Sequence, residues 1–427
     1  MKAVICGAGQ VGGNIARELA AEGIDITVVD QRRDLIQKFA DSLDVKALVG
    51  HASHPDVLEA AGVGDCDMII AVTFADEVNM VACQVAHSLF NVPMKIARLR
   101  ARSYLKPIWA DLFSRDNMPI DVIISPEIEV ARAIGRRLTV PGAFDMIPLA
   151  DNRLRLLGVR CAEDCPILNT PLRQLTTLFP DLHILTVGIV RDGKQIVPTG
   201  DDQFFPGDEV YLVVDSEHVG RAMVAFGHEE PEARRVVILG GGNIGLSLAE
   251  DIEQRNSGVT VRLIEISQER AEIVAQGCPK TVVIHGDALD PEILEEANVA
   301  NAETIIAVTN DDEVNILSSL LAKRYGAERA VTLVNSGGYS PLMGPLGIDV
   351  VVSPRAITVS TILQHVRRGR IRSVHSIREN FGEIIEAEAL ETSSLVGRPL
   401  RQAKLPRGVI IAAVLHNGAV NMARGDT

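Results

Sequence analysis

Near its amino end the chain runs an apolar strand into a glycine pattern, Val4-Ile5-Cys6-Gly7-Ala8-Gly9-Gln10-Val11-Gly12, with the spacing G-x-G-x-x-G. In that pattern the first glycine permits a tight turn, the second lets a pyrophosphate approach the backbone, and the third lets a helix pack closely on the strand. The phosphates then rest on a helix N-terminus, where unpaired N–H groups and the helix dipole favour negative charge. The same stretch returns as Val237-Ile238-Leu239-Gly240-Gly241-Gly242-Asn243-Ile244-Gly245. Each copy also ends its second predicted strand in an acid, Asp30 and Glu265, the acceptor for ribose hydroxyls expected about 20 residues after the glycines. Asp30 repels a 2′-phosphate and so favours NAD over NADP, a preference softened by Arg32 and Arg33.

Other candidates lie at the carboxyl ends of predicted strands, where open α/β sheets bind ligands. Thr73, with Phe74 beside it, and Thr309 follow the fourth strand of each copy; their hydroxyls reach a ribose or phosphate, or cap the next helix. Arg98 and Arg100 end the fifth strand of the first copy on one face, an arginine fork suited to a pyrophosphate or triphosphate, or to a subunit interface. Leu333 and Asn335 occupy the matching places in the second copy, so the two sites are expected to differ, with tighter or more phosphate-sensitive binding in the first. His51 is expected to make a polar contact near the adenosine ribose, by analogy with Asp287. His51-x-x-His54 alone is no metal site, and no other metal site is expected.

These residues need a scaffold, and the chain supplies it twice. Apolar runs without polar alternation, separated by helical patterns, predict a doubly wound parallel sheet: strands at 2–6, 25–30, 45–49, 68–72, 94–99 and 121–125, helices at 11–22, 33–42, 55–61 and 77–89. Gly50 to Glu59 aligns with Gly286 to Glu295, and Ile70 to Asn79 with Ile306 to Asn315, both at an offset of 236 residues. Ser125-Pro126-Glu127 reads as a helix start with Ser125 as N-cap. Between about 144 and 227, alternating strands and the turns Arg191-Asp192-Gly193 and Pro206-Gly207-Asp208 predict a small α+β domain.

The expected architecture is therefore α/β: a first Rossmann-like nucleotide domain (1–140), a small α+β domain (141–228), a second Rossmann-like domain (229–375) and a second small domain (376–427). The last matches its counterpart only as far as Gly200-Asp201-Asp202, so either it is truncated or its sheet borrows a strand or leaves an edge open.

Composition narrows the function. A net charge of −14 speaks against nucleic acid as partner. No apolar run reaches the roughly 18 residues that span a bilayer, and the first strand begins directly after Met1-Lys2, so a cytosolic protein is expected. The six cysteines are expected to be reduced core thiols, Cys161 and Cys165 included. The basic run from Arg367 to Arg372 reads as a helix end.

The order nucleotide domain, small domain, nucleotide domain, small domain resembles the TrkA family, the regulatory subunits of bacterial Trk potassium-uptake systems. Val49-Gly50-His51-Ala52-Ser53-His54-Pro55 and the stretch Asp76 to Ala86 are similar to that family in particular, within the wider group of domains regulating potassium conductance (RCK). The resemblance covers the whole chain. It implies NAD(H), and also ATP or ADP, in the nucleotide domains, and a homotetrameric ring docked at the inner face of the membrane beneath an integral potassium translocator. It implies a sensor and no enzyme. The rival is an NAD-dependent oxidoreductase, which needs an acid or base over the nicotinamide. His183 and Lys194 are its only candidates in the first small domain, and their counterparts around Arg407 and Asn421 keep neither.

Overall fold

A computed structural model describes residues 1–179, 184–230, 232–255, 258–366, 371–377, 382–416 and 418–427. His183, Asn417 and the basic residues 367, 368 and 370 lie outside the described residues.

The first sheet has six parallel strands: β1 (Lys2–Cys6), β2 (Asp25–Asp30), β3 (Lys46–Val49), β4 (Met68–Ala71), β5 (Met94–Arg98) and β6 (Val122–Ile124), in the order β3-β2-β1-β4-β5-β6. This is the doubly wound arrangement expected from the sequence, with the order reversing between β1 and β4 at the crevice where such sheets bind ligands. Its helices are α1 (Gln10–Ala21), α2 (Arg33–Ser42), α3 (Pro55–Ala60), α4 (Asp76–Phe90) and α5 (Pro126–Leu138). β1 and β4 are buried on both faces apart from Lys2, which explains why they read as unbroken apolar runs.

An antiparallel sheet follows: β7 (Ala143–Leu149), β8 (Leu154–Arg160), α6 (Leu172–Leu178), β9 (Ile184–Arg191), β10 (Lys194–Ile196), β11 (Glu209–Asp215) and α7 (Val219–Ala225), with strand order β10-β9-β11-β8-β7. Asp192 and Gly193 both have positive φ, the conformation a two-residue hairpin turn requires, and they join β9 to β10.

The second parallel sheet repeats the first. It comprises β12 (Arg235–Leu239), α8 (Asn243–Gln254), β13 (Thr260–Glu265), α9 (Gln268–Gly277), β14 (Val282–His285), α10 (Pro291–Glu296), β15 (Thr304–Ala307), α11 (Asp312–Arg324), β16 (Ala330–Leu333), α12 (Ser340–Leu346) and β17 (Val350–Val352). Its order, β14-β13-β12-β15-β16-β17, is the same permutation. The helix after β17 is α13 (Pro354–Val366), and two hairpins close the chain: β18 (Ile371–Ile377) with β19 (Gly382–Ala387), and β20 (Ala413–His416) with β21 (Ala419–Met422).

The chain divides into two compact units, and the division does not follow the repeat. The first comprises Met1–Val130 with Ser353–Gly369, the second the rest. Within the first unit, α13 buries Val359, Ile362, Leu363 and Val366 against Ile15, Leu19 and the strands of the first sheet. Each fully buried aliphatic side chain contributes about 1.5–3 kcal/mol relative to exposure, so these four hold the helix firmly. Within the second unit, the carboxyl end of α5 lies on α8: the Gly135 carbonyl accepts from Arg255, and a Cβ at Gly135 would sit 2.6 Å from the Asp251 carboxylate. The covering helix of each nucleotide fold thus comes from the other half of the chain.

The closing hairpins also lie in the second unit, where Ile377, Ile384, Val420 and Met422 pack on Leu154, Leu156, Tyr211 and Val213 of the first small sheet. Arg153 donates to the Gly418 carbonyl at 2.7 Å, and the Ala150 amide to Glu386 at 3.2 Å. The two small-domain segments share one apolar core.

All six cysteines are buried and unpaired by disulfide. Cys161 and Cys165 lie against each other inside the first small domain; the interaction raises the Cys161 thiol, with burial adding to it, and lowers that of Cys165. Among the described residues no group of three potential metal ligands occurs, and no helix is long and apolar enough to cross a membrane.

Candidate nucleotide site

The first cradle is built at the β1–α1 turn. Gly7 has φ +113°, a conformation that excludes most side chains, and its N–H donates to the Val29 carbonyl at 2.8 Å. A Cβ on Gly12 would lie 1.9 Å from the Gly7 carbonyl oxygen, so only glycine allows α1 to start this close to the strand. Nothing lies within 4 Å of a Cβ built on Gly9, the N-cap of α1, and no side chain caps that helix. The first amides of α1 are thus left uncapped beside open space, the condition for receiving an anion.

Asp30 closes the cradle from β2. One carboxylate oxygen accepts from the Ala8 amide at 2.7 Å and the other from the Arg32 amide at 2.9 Å. Each oxygen keeps lone-pair capacity for a further donor, which is what two ribose hydroxyls require. The Arg32 side chain turns away to pair with Asp34 at 2.6 Å. His51 Nδ1 contacts Ser53 Oγ at 2.7 Å, and its ring stacks on His54 with centroids 4.6 Å apart.

On the other side of the crevice, Thr73 is fixed by Asn79, a residue the sequence reading passed over. The Thr73 amide donates to Asn79 Oδ1 at 2.8 Å and its hydroxyl lies 2.7 Å from the same oxygen. Asn79 Nδ2 donates to the carbonyls of Thr73 at 3.2 Å and Arg98 at 2.9 Å. Asp76, also buried, accepts from the amides of Arg100 and Ala101 at 2.9 and 2.7 Å. Two side chains of one helix therefore lock the β4 and β5 ends together. Thr73 does not cap that helix, because its N-cap is Ala75.

The arginines are held differently. Arg100 pairs with buried Glu127 at 2.8 Å, and its guanidinium lies 5.5 Å from the ring centre of Phe74, which is 83% exposed. Arg98 Nε is buried without a hydrogen-bond partner. Burial, with Arg100 beside it, pushes the Arg98 guanidinium below its usual range. Glu127 thus anchors Arg100. Ser125 stands at the N-cap position of α5, its carbonyl accepting from the Glu129 amide at 3.0 Å, but its buried hydroxyl has no partner among the described residues. In the second copy Ser353 Oγ does accept from the Ala356 amide, at 3.3 Å.

The second cradle reproduces the backbone frame. Gly240 has φ +107°, a Cβ on Gly245 would lie 2.0 Å from the Gly240 carbonyl oxygen, and Gly242 faces open space. Glu265 accepts from the Gly241 amide at 2.6 Å and from Ser267 at 2.8 Å. Asn315 repeats the clamp, binding the Thr309 amide at 2.8 Å and donating to the Leu333 carbonyl at 3.1 Å. Asp312 accepts from the Asn335 and Ser336 amides. These bonds confirm that Leu333 and Asn335 stand where Arg98 and Arg100 stand in the first copy. Asp287 turns inward to its own loop, accepting from the Leu289 amide at 2.9 Å. A further residue unread in the sequence, Arg270, donates to the Gly241 carbonyl at 2.9 Å, with Asn243 Oδ1 3.5 Å away.

The TrkA-N domain family matches residues 3–126 and again 236–354, and the TrkA-C domain family matches residues 156–227. The chain belongs to the TrkA family. The Trk system potassium uptake protein TrkA of Azorhizobium caulinodans is 55% identical over 427 residues, covering all of this chain and 93% of that protein. The TrkA protein of Vibrio alginolyticus is 41% identical over the same shares. Among solved structures, the GsuK RCK domain superposes with a TM-score of 0.61 at 21% identity, over 84% of this chain and 75% of that one. A GsuK channel bound to NAD gives 0.61 at 20% identity, over 85% and 63%. These likenesses establish the RCK fold. Between the two copies the duplicated frame is kept while the side chains lining each cradle diverge.

Proposed function

We propose that this chain is the nucleotide-reading regulatory subunit of a potassium-uptake system and performs no reaction on the nucleotide. The observation that carries this is the first cradle, whose open helix N-terminus and two-handed Asp30 carboxylate fit a dinucleotide with free ribose hydroxyls. In this reading Gly7 to Gly12 receive the pyrophosphate, Asp30 takes the adenosine ribose, His51 and Thr73 line it, and Phe74, Arg98 and Arg100 meet the distal phosphates or ring. NAD or NADH is the preferred ligand, with ATP or ADP admitted by the arginines. Gly240 to Gly245, Glu265, Asp287 and Thr309 form a second, weaker site.

The potassium role rests on the names of full-length relatives at 55% and 41% identity. In the proposed assembly, four copies form a ring at the inner face of the membrane beneath an integral potassium translocator. A bound nucleotide shifts such a gate only by its differential affinity for two ring states, about 1–3 kcal/mol per coupled site. Titrating the purified protein with NAD, NADH, ATP and ADP in a calorimeter, alongside a hydride-transfer assay on small alcohols and acids, tests the reading. Nucleotide binding without turnover is expected. Turnover at ordinary enzymatic rates, about 1 per second or faster, would instead establish an oxidoreductase.

A further inference from the structure

A cavity of about 280 Å³ opens within the second unit. Its walls come from the first small domain, through Gly142, Arg160 and His228, and from the amino ends of the second parallel sheet, through Thr304, Arg329 and Asp349. The second nucleotide cradle sits at the opposite, carboxyl ends of the same strands. Nothing in the proposed nucleotide chemistry uses this space.

The charges around it are unevenly satisfied. Asp349 is engaged by Lys323 Nζ at 2.7 Å and by the Ala330 amide at 2.7 Å. Glu303 is engaged by the Arg235 guanidinium at 2.7 Å and by two main-chain amides. Glu230 faces His228 Nδ1 at 3.2 Å. Arg329, at the mouth of β16, makes no side-chain hydrogen bond and no ion pair within 4 Å among the described residues; burial pushes its guanidinium below the usual range, and the carboxylates of Asp349 and Glu230, too far for a direct pair, offset this only in part. A guanidinium carries five donors in a planar fork and stays protonated, so leaving it half-buried without an acceptor is costly.

His228 is fixed in the wall: Nε2 lies 3.2 Å from the Arg160 carbonyl and Nδ1 faces Glu230. Gly142 has φ +83°, and a Cβ there would lie 2.6 Å from the imidazole, which shows how tightly that ring is seated in the wall. Arg160 pairs with Glu209 at 2.9 Å at a half-exposed position.

We propose that this cavity is a binding site for a small oxyanion, a phosphate or a carboxylate, held by the fork of Arg329 between the first small domain and the second nucleotide fold. Such an anion supplies the acceptors that Arg329 lacks, and bidentate contact between guanidinium and oxyanion is the geometry that arginine favours. The site also has a route to the second cradle. Arg329 immediately precedes the four-residue strand β16, whose far end, Leu333, is gripped by Asn315.

The test is calorimetric titration of the full chain with inorganic phosphate and, separately, with succinate, against chloride at matched ionic strength, each with and without NADH. Saturable binding of either anion is expected in the wild type, undiminished by NADH, and weakened about tenfold or more in Arg329→Gln. Arg329→Lys, which keeps the charge and the fold but loses the fork, should fall between them. The preferred anion distinguishes a phosphate from a carboxylate ligand. Absence of binding to both anions in the wild type overturns the proposal. So does binding that survives Arg329→Gln unchanged or disappears with NADH, because the anion then occupies a glycine cradle.

Discussion

Asn79 donates to the main-chain carbonyl of Arg98 at 2.9 Å while accepting from the Thr73 amide, and so ties the ends of the neighbouring strands β4 and β5, on one side of the crevice, to one helix. Asn315 makes the same connection to Leu333. A fully buried amide side chain kept in both copies, where the facing residues changed from arginine to leucine, holds the frame, whatever ligand the frame receives.

Asn79→Ala leaves the Thr73 and Arg98 backbone groups without their partner inside the fold. It should lower stability by about 1–3 kcal/mol and weaken nucleotide binding through misplacement of Thr73. Thermal unfolding with calorimetric titration checks both, and an unchanged affinity would show that the clamp does not position the ligand.

Asp30→Asn keeps an acceptor for the Ala8 amide but removes the charge. NADH affinity should fall about tenfold and the gap between NADH and NADPH should narrow, since the carboxylate no longer repels a 2′-phosphate. Competition titrations with the two dinucleotides measure this directly. A variant that still rejects NADPH as strongly as the wild type would place the discrimination elsewhere.

Arg98 has a buried Nε without a partner, a cost carried by the folded chain. Arg98→Ala should therefore leave thermal stability unchanged or raised while weakening nucleotide binding about tenfold or more. A loss of stability without loss of affinity would make Arg98 a structural residue. Leu333→Ala, at the matching place in the second copy, should leave nucleotide binding at the first cradle untouched.

Ile362 is fully buried in the first unit although it belongs to the second half of the sequence. Ile362→Ala should cost about 2–5 kcal/mol. Native-state hydrogen exchange should then show lost protection in β1 and α1, with the second parallel sheet spared. Lost protection confined to the second sheet would contradict the exchange of covering helices.

Much of this was legible in the residues. Gly7 to Gly12 and Gly240 to Gly245 announced both turns because only glycine tolerates those backbone angles and contacts, and the unbroken apolar strands announced buried parallel sheets. The partner of α13 was not legible, since an aliphatic stripe such as Val359, Ile362, Leu363 and Val366 fits the apolar face of either sheet. Asn79 and Asn315 carried a signal that went unread: a polar residue repeated at the same place on an otherwise buried helix face. Arg270 gave none, because its reach to the Gly241 carbonyl depends on a side-chain path across a helix start. Ser125 and Ser353 share one motif, yet of the two hydroxyls only that of Ser353 bonds its helix, so the motif fixed the helix start but not the hydroxyl's bond.

The central claim is that occupancy of the first cradle is read out as potassium transport. The direct measurement is nucleotide-dependent potassium uptake in cells or vesicles carrying the cognate translocator with either wild-type chain or Asp30→Ala. The account predicts that Asp30→Ala loses NADH binding and the nucleotide response of uptake together. Loss of binding with an undiminished nucleotide response would contradict it.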